Sequence, residues 1–169
     1  QRITYITVNH TERYNDPEEW VRAEFWAELI FRYSYPTERI GIEVTVPDRT
    51  PRDAADLVIF EDNERKIPFA VIECKKDKIT DAEFQQAVEQ ACGNGTWAKF
   101  RAKYVMVVAG MTRRVLDFSE KYGVLERDQN VIADLPMQYG KPQEWQYTKG
   151  GKRDIWPVTQ EDLKAAIDK

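Results

Sequence analysis

Apolar positions along this chain change period several times, and each change marks an element. Val21, Phe25 and Leu29 recur every four residues, with Trp26, Ile30 and Tyr33 beside them, which predicts an amphipathic helix. Asp16 suits its N-cap, Pro17 the first helical position and Glu19 the third, a capping-box-like start. The helix is expected to end before Tyr35-Pro36, with Glu18–Arg22 and Glu28–Arg32 as ion pairs on its exposed side. Residues 40–46 alternate well enough for a strand, and residues 47–52 are loop-like. Two apolar runs follow, Ala55-Asp56-Leu57-Val58-Ile59-Phe60 and Ala70-Val71-Ile72-Glu73-Cys74-Lys75-Lys76, separated by a polar stretch at 61–66. They read as an antiparallel hairpin.

Thr80-Asp81-Ala82-Glu83 is a capping box for a second helix, whose apolar stripe is Phe84, Ala87, Val88 and Ala91. Gln86 and Gln90 share a different face of it, and Gly93-Asn94-Gly95 is expected to stop it. Residues 97–103 suggest an added helical turn carrying Lys99, Arg101 and Lys103. Tyr104-Val105-Met106-Val107-Val108-Ala109 is continuously apolar, as in a strand covered on both faces, and residues 114–118 suggest one more strand. Residues 3–8 read as a short strand or an ordered arm. The fold class is therefore α/β, in the order αβββαβ, with a mixed central sheet flanked by helices. Residues 1–150 are expected to form one domain. Gly150-Gly151 reads as a hinge, and residues 151–169 as a linker and the start of a helix leading into the next domain.

Polar residues interrupt the hairpin at one end. Glu73 and Lys75 lie two apart on a strand and so point to one side, while Cys74 points the other way, into the core. The antiparallel arrangement brings the start of the first strand, with Asp56, beside the end of the second. Two acids able to hold a divalent cation then meet a lysine. A charge pair at the end of an apolar strand is costly unless something uses it.

Bulk properties narrow the classes. The 169 residues carry a net charge of −4, which argues against a protein that coats nucleic acid nonspecifically. His10 is the only histidine, which sets aside most histidine-based metal sites and histidine-dependent triads. The two cysteines, Cys74 and Cys92, have no metal or disulfide spacing, and no stretch reads as a secretory signal or a membrane span. The expected location is the cytoplasm. The chain begins at Gln1 rather than Met, as expected of a processed or trimmed fragment.

Asp56 followed by Glu73-Cys74-Lys75, on adjacent strands within an αβββαβ order, resembles the PD-(D/E)xK nucleases. More narrowly, the chain is similar to the N-terminal nuclease domain of type I restriction enzyme R subunits. The similarity runs through Pro17-Glu18-Glu19-Trp20-Val21-Arg22, Ala55-Asp56-Leu57-Val58-Ile59, Val71-Ile72-Glu73-Cys74-Lys75, Gln86-Ala87-Val88 and Tyr104-Val105-Met106-Val107-Val108-Ala109-Gly110. It implies a Mg²⁺-dependent DNA endonuclease, with Mn²⁺ as a substitute. The implied metal ligands are Asp56, Glu73, the Cys74 backbone carbonyl and Glu18. Lys75 is implied as general base or phosphate holder, and Gln86 as a further catalytic residue. Lys76, Lys78 and Gln90 are expected to contact nucleic acid, with Lys99, Arg101, Lys103, Arg113 and Arg114 as further candidates for a DNA face. The family's usual Tyr four residues after the helix glutamine is replaced here by Gln90. The implied partners are double-stranded DNA and the methyltransferase or motor parts of a restriction–modification complex. The alternative is a non-cleaving DNA-binding or subunit-interaction module on the same fold.

Overall fold

The computed structural model describes residues 1–49, 51–119 and 130–137. An N-terminal hairpin, β1 (Arg2–Tyr5) and β2 (His10–Arg13), precedes helix α1 (Pro17–Phe31). Strands β3 (Ile40–Thr45), β4 (Ala54–Phe60) and β5 (Pro68–Lys75) come next, then helix α2 (Asp81–Gly95), β6 (Tyr104–Ala109), β7 (Thr112–Asp117) and β8 (Val131–Ile132). Strands β3 to β8 form one six-stranded sheet in that order. Every neighbouring pair is antiparallel except β5 and β6, which run parallel with α2 as their connection.

The two faces of the sheet are covered by different helices. Phe25 and Leu29 of α1 pack with Leu57, Ile59, Ile72, Cys74, Met106 and Val108. Phe84, Ala87, Val88 and Ala91 of α2 pack with Val105, Val107, Ala109 and Leu116. Odd and even residues of β6 thus serve opposite layers, which is why its sequence is apolar throughout. Strand β5 is equally central and is buried from Pro68 to Cys74. Val71 faces away from Ile72 and Cys74, and Glu73 and Lys75 continue its file.

Several local expectations fail for physical reasons. Residues 3–8 are not a single strand; they form β1 and a 3-10 turn, Ile6–Val8. Asp16 does cap α1 by accepting from the Glu18 amide, but Glu19 does not close a capping box. Its side chain turns inward and accepts from the Tyr5 hydroxyl at 2.6 Å. Arg22 likewise is buried rather than paired with Glu18 on the outside. Helix α2 does end within the expected Gly93-Asn94-Gly95 stretch, at Gly95. A side chain at Gly95 would collide with Val105, so this glycine lets the last turn of the helix lie against β6. Residues 97–103 form a turn closed by the Phe100 amide on the Trp97 carbonyl, without a further helix. Strand β8 had no clear sequence signal; Leu135 beside it is fully buried, and Tyr35 donates to the Pro136 carbonyl at 2.7 Å. The expected linker and helix at residues 151–169 lie outside the described residues.

Glu28 ties α1 to β7. It accepts from Arg113 through both oxygens, at 2.8 and 2.6 Å, and from Arg32 at 2.5 Å. Burial would raise its carboxyl, but the hydrogen bonds and charges of the two arginines outweigh this and hold it below the usual range. The stability it contributes is present above the unfolded-state value and is lost as pH falls through the lower folded value. Arg113→Gln should therefore cost about 1–3 kcal/mol at neutral pH. In urea denaturation, the gap from wild type should shrink on acidification below about pH 4; a pH-independent gap would contradict this account.

Candidate functional site

The open end of the β4–β5 hairpin carries the predicted charges. Leu57 pairs with Ile72, so one residue further on Asp56 and Glu73 meet. One Asp56 oxygen accepts from the Cys74 amide at 2.7 Å, which fixes the carboxylate against the end of β5. Lys75 donates to Glu73 Oε1 at 2.9 Å, and its Nζ lies 4.0 Å from Glu18 Oε2 at the start of α1. The fold thus gathers Asp56, Glu73, Lys75 and Glu18 into one polar cluster. The Cys74 peptide lies between the acids, while its thiol is buried in the core and pushed upward by burial.

Glu73 is only 2% exposed. Its Oε1 is taken by Lys75, but Oε2 is buried without a hydrogen-bond partner. Burial, and then the neighbouring charge of Asp56, push its carboxyl up to about 7 against the pull of Lys75. Burial also raises Asp56, more than the Cys74 amide, Arg22 and Lys75 lower it. Burial alone would lower Lys75, yet Glu73, Glu18 and Asp56 leave it above its ordinary value. The cluster therefore sets two carboxyls that resist ionisation beside a lysine that holds its proton.

Not every predicted residue joins this cluster. Gln86 is exposed on α2 and Gln90 half-buried, and among the described residues neither hydrogen-bonds to the acids. Lys76 and Lys78 are exposed in the loop after β5. Of the wider basic set, Arg113 is held by Glu28, Lys99 by Asp48, Lys103 by Glu61 and Arg114 by Gln85.

Sequence reasoning missed a second layer. Arg22 lies 3.2 Å from Glu19, 3.0 Å from Glu43 and 3.9 Å from Asp56. Tyr5 supports Glu19 from the N-terminal hairpin. One signal was present: Arg22, Phe25 and Leu29 are spaced i, i+3, i+7, so the arginine falls on the stripe that enters the core. A cleft of about 510 Å³ opens beside this layer, lined by Glu12, Glu19, Arg22 and Glu43 among others.

A mixed six-stranded sheet with a helix on each face, and an acid–acid–lysine cluster where two central strands meet, define an α/β domain built around one polar end of its sheet. The chain belongs to the family described as type I restriction enzyme R protein N terminus, which matches residues 17–136. No curated protein matches the chain. Among the described residues, no helix is long and apolar enough to cross a membrane.

Because the folded Glu73 holds its proton to higher pH than the unfolded chain does, its ionisation destabilises the fold as pH rises from 4.5 toward about 7. Without metal, Glu73→Gln should gain stability over wild type across that window, by on the order of 1–3 kcal/mol. Urea denaturation in the presence of a chelator reads this directly. A constant difference across the window would mean that Glu73 ionises as an ordinary surface carboxylate.

Proposed function

We propose that this chain is a Mg²⁺-dependent DNA endonuclease domain of a restriction–modification enzyme, with a PD-(D/E)xK core in αβββαβ order. The observation that carries this reading is the buried, unpartnered Oε2 of Glu73 beside Asp56. An orphaned carboxylate oxygen is expensive unless a ligand completes it. Two carboxylates and a backbone carbonyl suit a hard divalent cation that keeps several waters. Asp56 and Glu73 would hold it, with the Cys74 carbonyl and Glu18 as further oxygen donors. When bound, such an ion supplies charge neutralisation at the phosphate and an acidified water.

The chain's own residues do the rest. The Cys74 amide keeps Asp56 in one orientation. Lys75, protonated and anchored on Glu73, presents an ammonium to a phosphate oxygen or to the attacking water. Its proton affinity would fall beside a bound cation, which admits the general-base role as well. Gln86, Gln90, Lys76 and Lys78 line the approach through α2 and the loop before it, and would meet the DNA backbone rather than the reacting atoms. The partners are double-stranded DNA and the methyltransferase or motor parts of the complex, joined through residues 151–169, in the cytoplasm.

A second reading is a non-cleaving module that binds DNA or partner subunits. It draws on Arg22 and Lys75, which already set a protein cation near each acid. Metal separates the two. Calorimetry should show Mg²⁺ or Mn²⁺ binding that is lost in Asp56→Ala and in Glu73→Ala. Plasmid nicking by the parent protein should fall at least about 100-fold in Lys75→Ala. Absent binding, or binding unchanged in Asp56→Ala, would favour the non-cleaving module.

A further inference from the structure

The only histidine of the chain sits in a cluster separate from the acid–lysine one. His10 and Glu12 are two apart on β2 and so share one side of that strand. Glu43, from β3, reaches the same point. His10 Nε2 is 3.2 Å from Glu12 Oε1 and 4.0 Å from Glu43 Oε2, and the three ligand atoms lie within 4.8 Å of one another. His10 Nε2 is enclosed and makes no hydrogen bond. Beside it the cleft lined by Glu12 and Glu43 also contains Glu19, a carboxylate only 2% exposed whose Oε2 faces Arg22 as an ion pair without a hydrogen bond. An enclosed nitrogen beside two carboxylates that line an open polar cleft is a donor set rather than a packed core histidine.

We infer that His10, Glu12 and Glu43 form a site for a Zn²⁺-class divalent cation, which clips the N-terminal hairpin onto β3. One imidazole nitrogen and two carboxylate oxygens suit a borderline cation with room for water. Mg²⁺, which prefers all-oxygen octahedral sites, is a poor match for it. Tetrahedral ligands about 2.0–2.2 Å from zinc are about 3.3–3.6 Å apart, so the carboxylates need only a small rotamer adjustment to close on the ion. The site joins an element outside the main sheet to its β3 edge, and bound metal would stabilise the folded chain by mass action. Glu43 also holds Arg22, so the clip and the second layer of the acid–lysine cluster share one carboxylate.

A single histidine makes the test direct. Tag-free chain is titrated with Zn²⁺ while the His10 ring-nitrogen signals are followed by NMR. The expected result is a saturable one-to-one shift, retained in Asp56→Asn and weakened at least about tenfold in Glu12→Gln and in Glu43→Gln. A thermal melt should rise with Zn²⁺ in wild type and not in His10→Ala. His10 signals that ignore Zn²⁺ in the wild-type chain would overturn the site. So would a shift that survives in the Glu12→Gln, Glu43→Gln double variant, or one lost in Asp56→Asn. The nuclease reading stands or falls separately, since it is read by Mg²⁺ binding and nicking that depend on Asp56 and Lys75.

Discussion

Glu73 places a carboxylate at the end of the most enclosed strand of the sheet, and the rest of the polar architecture answers to it. A buried ionised acid is tolerated only when paired and hydrogen-bonded. Lys75 satisfies one oxygen and leaves the other bare. Asp56 adds a second negative charge that makes the first harder to hold. Such an arrangement is a poor way to stabilise a fold, because replacing a buried ion pair by well-packed apolar residues is often neutral or favourable. Lys75 and Arg22 are the cations that the fold sets against these two acids.

Helix α1 is what makes the arrangement tolerable. Its first turn supplies Glu18 toward Lys75 and Glu19 toward Tyr5, its second supplies Arg22, and its later turns supply the apolar residues that cover Leu57, Ile72 and Cys74. Arg22 is the link between layers, since it touches Glu19, Glu43 and Asp56 at once. The N-terminal hairpin contributes Tyr5 behind Glu19, and His10 and Glu12 beside Glu43. The polar end of the sheet is therefore built from the hairpin, α1, β3, β4 and β5 together.

Much of this was legible before any coordinates. The periods of two and 3.6 gave both helices and the central strands, because those segments bury one or two faces and their residues must alternate accordingly. The pairing of Asp56 with Glu73 and Lys75 followed from a hairpin read from a polar turn between two apolar runs. What stayed hidden depended on tertiary partners. Glu19 looked like a capping residue because its local chemistry fits that role, and only Tyr5, far away in the chain, draws it inward. Arg22 looked like half of a surface pair because i, i+4 spacing is a local rule and Glu43 is not local. Gly95 is legible as the end of its helix, but its close packing against Val105 depends on a strand that is not local. Strand β8 was too short to carry a period at all.

The turn that joins β4 to β5 lies at the far end of the sheet from the acids. Asp62 closes it by accepting from the Lys66 and Ile67 amides; Arg65 donates to the Glu38 carbonyl in a second 3-10 turn, Thr37–Arg39, and Arg39 donates to Asn63 Oδ1. Seven residues of β5 separate it from Lys75, a span of roughly 25 Å. A fluorophore or affinity label attached at Glu64 would ride on a well-braced tip without crowding the acids. That tip is therefore the natural handle for watching the domain work inside a larger assembly.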